Sequence, residues 1–269
     1  MAQRQKTAQQ QKTAERQNRW VMTPDQIREA EARYRAPKDS GLVARSLQHF
    51  YETDPDVVAG LLPPPLAPGD RPEVWVSIGH MPDINLGVAQ VAVACRYRDE
   101  DGWYCLHLPM TTEAAVVGGR ERYGENKKIA DIRFNRDGDH IEASVSRYGV
   151  TYLEFVGDAV ERVDFAAEEV VPHYYFKYSL AADGDGYDHE PLLVRSVHTR
   201  RPKSVERVEG KLALRDSQFD PVADLPIERD VRSMYTERTA YIAAKVVEKV
   251  DPDAFLPYIY QRYDFAGQG

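Results

Sequence analysis

The segment Gly118-Gly119-Arg120-Glu121-Arg122-Tyr123-Gly124-Glu125-Asn126-Lys127-Lys128-Ile129-Ala130 holds the residues best suited to chemistry. A helix ends there at a glycine, and two adjacent lysines stand at the mouth of the strand that follows. Neighbouring side chains of a strand face opposite sides, so one of Lys127 and Lys128 points inward. An ammonium held inward beside a second cation is disfavoured by desolvation and by like charge. The free amine is the nucleophile needed to form an imine with a ketone. From spacing alone, the pair reads first as a solvated dibasic pair at a loop end.

Other motifs carry less. Asp183-Gly184-Asp185-Gly186-Tyr187-Asp188 begins like a calcium loop, but it lacks the acid or amide at the fifth position and the glycine at the sixth, and reads as a hairpin turn. The seven histidines, His49, His80, His107, His140, His173, His189 and His198, show no ligand spacing with a third partner, so no metal site is expected. Gly118-Gly119 lacks the Lys-Ser/Thr ending of a phosphate loop. Two cysteines, Cys95 and Cys105, exclude a disulfide scaffold and a four-cysteine zinc site.

The elements that must position the lysines are mostly strands. EVWVSIGHM, GVAQVAVACRYR, GWYCLHLPM, KIADIRFN, HIEASVSRYG, VTYLEFVG, HYYFKYSL and LLVRSVHT are short and rich in β-branched and aromatic residues. Hairpin signals separate them at Arg98–Gly102, Asn135–Asp139 and Ala182–Gly186. This texture predicts an α+β, mostly-β domain, an antiparallel sandwich or barrel. Helices are predicted at Thr23–Tyr34, where Thr23-Pro24-Asp25-Gln26 supplies cap, proline and N3 glutamine, and at Asp54–Leu62, stopped by Pro63-Pro64-Pro65. Two more are predicted at Thr112–Tyr123 and, from the spacing of Tyr241, Ala244, Lys245 and Glu248, at Arg238–Lys249.

The chain of 269 residues carries 35 Lys+Arg and 43 Asp+Glu, a formal charge of −8. Residues 1–19 hold five basic residues against Glu15, so they sum to +4 and the other 250 residues to −12. That segment has no aromatic, Leu, Ile or Val, which predicts an arm outside the fold: residues 1–40 form a basic arm with a short helix, and 41–269 the domain. The acidic balance argues against a nucleic-acid partner. No apolar run reaches membrane-spanning length and no secretory h-region is present, which leaves the cytoplasm as the expected location.

The lysine segment resembles the acetoacetate decarboxylase superfamily, whose signature runs Gly-Arg-Glu, four residues, then Pro-Lys-Lys. Gly119-Arg120-Glu121 and Lys127-Lys128 match in register, with Asn126 in place of the proline. Thr53–Asp56 through Leu61–Leu66, Pro172–Lys177 and Asp224-Leu225-Pro226 extend the likeness, which covers about Arg45 to Ala244. The resemblance implies an antiparallel cone-like β-barrel, a homo-oligomer of tetramer size or larger, and a cofactor-free site. It implies Lys127 as the imine-forming residue and Lys128 as its electrostatic neighbour.

Departures from the family pattern redirect the expected reaction. The resemblance implies two barrel glutamates near the lysine. Ser77 stands at the first, with His80 nearby, and Val88 or Gln90 at the second. The family's substrate-binding arginine falls at Ala44, with Arg45 one place on. Losing two carboxylates removes acid–base capacity, which moves weight from simple decarboxylation toward aldolase, dehydratase or hydratase chemistry. Gln90 can orient a substrate, Tyr235 and Glu237 are candidate acid–base groups, and Arg120 is the candidate contact for a substrate carboxylate. The plain alternatives are a structural tyrosine, a helix-start glutamate and an exposed Arg120–Glu121 pair. The expectation is therefore a carbon–carbon lyase forming an imine between Lys127 and a small oxo acid. The rival is a non-catalytic barrel that binds a small molecule.

Overall fold

The computed structural model describes residues 20–35 and 42–264. By internal contacts the chain divides into two units, Met1–Lys38 and Asp39–Gly269. The first contributes α1 (Pro24–Arg35). The Gln26 N–H donates to Thr23 Oγ1 at 3.3 Å while Thr23 N–H donates to Gln26 Oε1 at 2.9 Å, a reciprocal cap that fixes the start of α1. The expected basic arm at 1–19 lies outside the described residues.

The second unit runs β1 (Ala44–Glu52), α2 (Pro55–Leu61), β2 (Ala67–Pro68), β3 (Glu73–Met81), β4 (Leu86–Tyr97), β5 (Glu100–Met110) and α3 (Glu113–Tyr123). It continues with β6 (Lys127–Ile129), β7 (Asp131–Asp137), β8 (His140–Arg147), β9 (Val150–Arg162), β10 (Glu169–Lys177), β11 (Leu192–Leu214), β12 (Arg229–Lys249) and α4 (Pro252–Phe255). Asp54 caps α2 by accepting the Asp56 N–H at 2.8 Å, and Pro55 occupies its first turn, as the sequence predicts. α3 ends at Gly124, whose φ of 74° lets its N–H return to the Arg120 and Gly119 carbonyls.

The sheet order β10-β5-β4-β3-β1-β12-β11 closes because β11 pairs back to β10, giving a seven-stranded barrel. The distal half of β11 continues into β9, β8 and β7, which form a flap of sheet outside the barrel. Pairing is antiparallel except along β5, which runs parallel to β10 at Trp103–His173 and to β6 at Leu108–Lys127. The fold is thus mostly β, with a closed barrel and few helices.

The closure creates two kinds of interior. Outside the barrel wall, Leu47, Val76, Ile78 and Val91 join Ile141, Val145, Leu153 and Phe155 of the flap in one buried apolar cluster. Each such side chain contributes about 1.5–3 kcal/mol by leaving water. Inside the barrel, Phe50, Trp75 and Trp103 pack at centroid distances of 5.3–5.9 Å, and Arg200 of β11 crosses the barrel to lie 4.4 Å over the Trp75 ring. A smaller apolar group, including Ala92, Leu108, Met110 and Tyr175, lines the same side.

Two predicted elements differ. Arg238–Lys249 is not a helix but the second half of β12, paired with β11 from Arg238 opposite Pro202 to Lys249 opposite Leu192. Its alanines, lysines and glutamate favour a helix locally, but a run of non-local ladder bonds outweighs propensity differences of a few tenths of a kcal/mol per residue. KIADIRFN is two strands, β6 and β7, broken at Ala130, so the lysine pair belongs to β5 rather than to the flap. Among the described residues no helix is long and apolar enough to cross a membrane.

Candidate active site

β6 holds only three residues, and its alternation separates the lysines. Lys127 is paired beside Leu108 of β5, on the barrel's inner face, and its side chain is 12% exposed. Its neighbour is not Lys128 but Glu125, whose buried carboxylate lies 2.7 Å from the Lys127 Nζ. Gly119 of α3 makes room for this pair. A Cβ there would lie 2.5 Å from Nζ, 2.6 Å from the Lys127 Cδ, and closer still to the Glu125 carboxylate. The glycine of the Gly-Arg-Glu signature therefore acts by packing, leaving space for the amine.

Lys128 points through the wall. Its ammonium donates to the Phe219 carbonyl at 2.6 Å and faces Asp220 at 3.3 Å and Asp264 at 2.9 Å. Arg147 holds the same two carboxylates, contacting Asp220 at 2.7 Å and Asp264 at shorter range. His107 donates to or accepts from the Tyr152 hydroxyl at 2.7 Å beside them. Burial opposes ionisation of Asp264, but hydrogen bonds from Arg147 and Lys128 win and hold it well below the usual carboxylate range. The expected electrostatic partnership of Lys127 and Lys128 is corrected here: the sheet stands between them, and Lys128 is neutralised on the far side.

The remaining expected residues divide the same way. Ser77 and Gln90 face each other across β3 and β4, in line with Gln48 of β1, and this row shares the inner face. The same face carries Val88, two residues from Gln90. The Gln90 Nε2 is buried without a hydrogen-bond partner among the described residues. By contrast Arg45, His80, Tyr235 and Glu237 project from the outer face, where they line a cleft of about 530 Å³ with Arg136 and Glu206. There Tyr235 donates to Glu237 at 2.8 Å, Arg45 pairs with Glu237 at 3.1 Å, and His80 lies 3.3 Å from Asn85 Oδ1. Burial and the Glu237 carboxylate push the Tyr235 hydroxyl up to about 12. These four residues are not brought to Lys127. Neither is Arg120, which lies 5.0 Å over the Tyr263 ring in the C-terminal segment.

Several inner-face groups lay beyond the sequence reading. Arg238 donates to Ser46 Oγ at 2.7 Å and Thr236 Oγ1 at 2.6 Å, and Gln48 donates to Thr236 Oγ1 at 2.9 Å. His173 and His198 stack at 4.1 Å. Burial pulls His173 down to about 3, with Arg200 adding to it, so the ring is neutral at pH 7. Its Nδ1 faces the Val171 carbonyl at 3.3 Å and must donate there, which leaves Nε2 as a buried acceptor without a partner among the described residues. Burial also lowers His198, and the cations around it, Arg200, Arg238 and Lys127, act in the same direction. Glu125 carried one legible signal: it lies two residues before Lys127, the spacing at which extended side chains share a side. Arg200 and Arg238 carried none: the strand expected from LLVRSVHT ends one residue before Arg200, and the helix expected at Arg238–Lys249 hid the strand register of Arg238. No group of three or more metal-type ligands occurs among the described residues.

The profile of the family described as Acetoacetate decarboxylase (ADC) matches residues 22–250. The chain belongs to the acetoacetate decarboxylase family. An acetoacetate decarboxylase of Chromobacterium violaceum is 27% identical over 187 residues, covering 66% of this chain and 74% of that protein. A CLA biosynthesis isomerase of Lactiplantibacillus plantarum is 27% identical over 241 residues, covering 80% and 85%. The enduracididine biosynthesis enzyme MppR, solved in complex with pyruvate, superposes with a TM-score of 0.66 at 16% identity, covering 77% of this chain and 90% of that one. Family membership makes the chain an enzyme of the acetoacetate decarboxylase type and leaves its particular reaction to be argued from the site.

Proposed function

We propose that the protein is an imine-forming lyase in which Lys127 condenses with the carbonyl of a small oxo acid. The observation that carries this reading is the Lys127 amine inside the barrel, almost enclosed and in contact with Glu125. Glu125 is placed to take the ammonium proton, freeing the amine to attack the carbonyl carbon. It can return that proton to the hydroxyl of the adduct, which leaves as water as the C=N bond forms. The protonated imine then draws electrons from the neighbouring carbon. Loss of a proton there gives an enamine; loss of a β-carboxylate as carbon dioxide gives the same species.

Ser77 and Gln90 can hydrogen-bond a substrate but cannot exchange protons near neutral pH, so the inner wall opposite the amine offers orientation rather than acid–base catalysis. This favours an enamine that attacks an aldehyde, with loss of water from the adduct, over simple decarboxylation. Pyruvate in the MppR complex supports the substrate class. An enamine reprotonated at a different carbon isomerises its substrate, so the same lysine is compatible with the isomerase among the relatives.

A second reading, a binding barrel without catalysis, draws support from the Lys127–Glu125 contact, which gives the enclosed amine a structural partner of its own. Borohydride reduction in the presence of pyruvate or acetoacetate, followed by peptide mapping, decides between them. The expected result is a reduced adduct on Lys127; an unmodified Lys127 across a series of oxo acids overturns the proposal. Carbon dioxide release from acetoacetate would then mark a decarboxylase, and an enone absorbance from pyruvate plus an aldehyde an aldolase-dehydratase.

A further inference from the structure

Two arginines on the barrel's inner face have no carboxylate partner among the described residues. Arg200 is 6% exposed and stacks on Trp75; Arg238 bonds only the hydroxyls of Ser46 and Thr236. Burial and the charge of Arg238 lower Arg200's affinity for its proton. Glu169, opposite Arg200 across β10 and β11, acts the other way on both, and Arg238, pulled down to about 10 by burial, is still a cation at neutral pH. Two other buried cations are differently treated: Lys128 and Arg147 each meet two carboxylates on the outer side of the wall, whereas Arg262, near the C-terminal end, is held by the Tyr178 carbonyl and ring. Burying a charge is costly unless it is paired, and two neighbouring like charges compound the cost. Trp75 Nε1, whose ring lies against Arg200, and Gln90 Nε2, on the same inner face, are buried donors with no partner among the described residues. Unsatisfied donors beside unpaired guanidiniums describe a receptor whose anion is missing.

Resting on the imine reading, we infer that Arg200 and Arg238 clamp the carboxylate of the oxo acid whose carbonyl reaches Lys127, and that this carboxylate is retained in the product. Retention follows from charge. Carbon dioxide departs only as the carboxylate's negative charge flows toward the imine, and two fixed guanidiniums stabilise that charge in the ground state. Binding that is stronger before the transition state than in it slows the step. The clamp instead leaves the carbon on the other side of the imine free to lose a proton. The substrates it selects are 2-oxo acids, favoured over neutral ketones by the charge-assisted bonds that only a carboxylate makes.

The test uses lactate, a 2-hydroxy acid that cannot form an imine, titrated calorimetrically into the full-length protein. Lactate is expected to bind, with affinity reduced about 10- to 100-fold in Arg238→Met and in Arg200→Met, the loss of a charge-assisted bond or two. Arg238→Lys, which keeps the charge without the fork, is expected between wild type and Arg238→Met, and it carries the test if Arg238→Met does not fold. Borohydride trapping of pyruvate should follow the same order, whereas trapping of acetone should be unchanged in all variants. No lactate binding, equal binding in every variant, or an equal fall in acetone trapping overturns the clamp. Arginine-dependent lactate binding with no pyruvate adduct on Lys127 sinks the imine reading alone.

Discussion

Lys127 and Lys128 are adjacent in the chain and are met by opposite surroundings. On the outer side of the barrel wall, Lys128 and Arg147 are balanced by Asp220 and Asp264, and the nearby His107 is kept neutral by burial, with the ring at about 3. That side is a closed account of charge between β6, β8 and the C-terminal segment. On the inner side, Lys127 has Glu125, while among the described residues Arg200 and Arg238 have no carboxylate in salt-bridge contact and several buried polar atoms have no hydrogen-bond partner. A stable protein can afford only a few such groups, and their concentration in one enclosed volume is the mark of a site completed by its ligand. The difference teaches that the neighbouring cation of a dibasic pair can serve the fold rather than the chemistry.

The comparison is most directly broken at Lys127. Lys127→Met is expected to abolish borohydride adducts and to lower turnover per folded molecule on the order of 10³-fold or more, and to cost about 3–5 kcal/mol of stability because Glu125 is left buried without its cation. A variant that still traps pyruvate elsewhere would remove the inner face from the chemistry. Gly119→Ala comes next. The added methyl overlaps the Lys127 and Glu125 side chains, and a displacement of about 1 Å at the amine predicts roughly 10²-fold slower imine formation at modest cost in melting temperature. Unchanged trapping rates in this variant would show that the pair can move without loss.

Lys128→Met tests the outer side. It is expected to destabilise the protein by on the order of 3 kcal/mol, the lower end for a broken buried pair because Arg147 still faces both carboxylates. Adduct yield per folded molecule should stay at the wild-type level, measured by denaturant titration and trapping side by side. A stable variant that no longer traps pyruvate would restore Lys128 as an electrostatic partner. The smallest effect is in pH. Asp264 is depressed in the folded state, so its stabilising contribution is complete above the usual unfolded carboxylate value and disappears as pH falls through the folded one. The melting temperatures of wild type and Asp264→Asn should therefore differ at pH 7 and converge as pH drops below about 4. Parallel curves would show that Asp264 is not held by the cations.

Much of the fold was readable along the chain, and the reasons are local. Thr23, Asp54 and Gly124 act at helix ends through their own side chain or φ, and the alternation of EVWVSIGHM is the pleat itself. What failed was β12. TAYIAAKVVEK satisfies helical and extended patterns alike, and only β11, 30 or more residues earlier, makes it a strand. That one error concealed Arg238 and set Tyr235 and Glu237 in the wrong company, since on a strand their alternation with Thr236 and Arg238 sends them outward.

The sequence by itself supplied the residues of the proposed chemistry: a lysine at a strand mouth, a glycine eight residues before it, and no glutamate at the positions of Ser77 and Gln90. It also determined that one lysine of two must face inward, because a strand's side chains alternate. Which lysine, and beside which charges, was decided by tertiary structure alone. Closure of β10 on β11 defines an inside, and the surroundings of a charge are made by segments that meet only there: Glu125 with Gly119 on one side of the wall, Asp220 with Asp264 on the other.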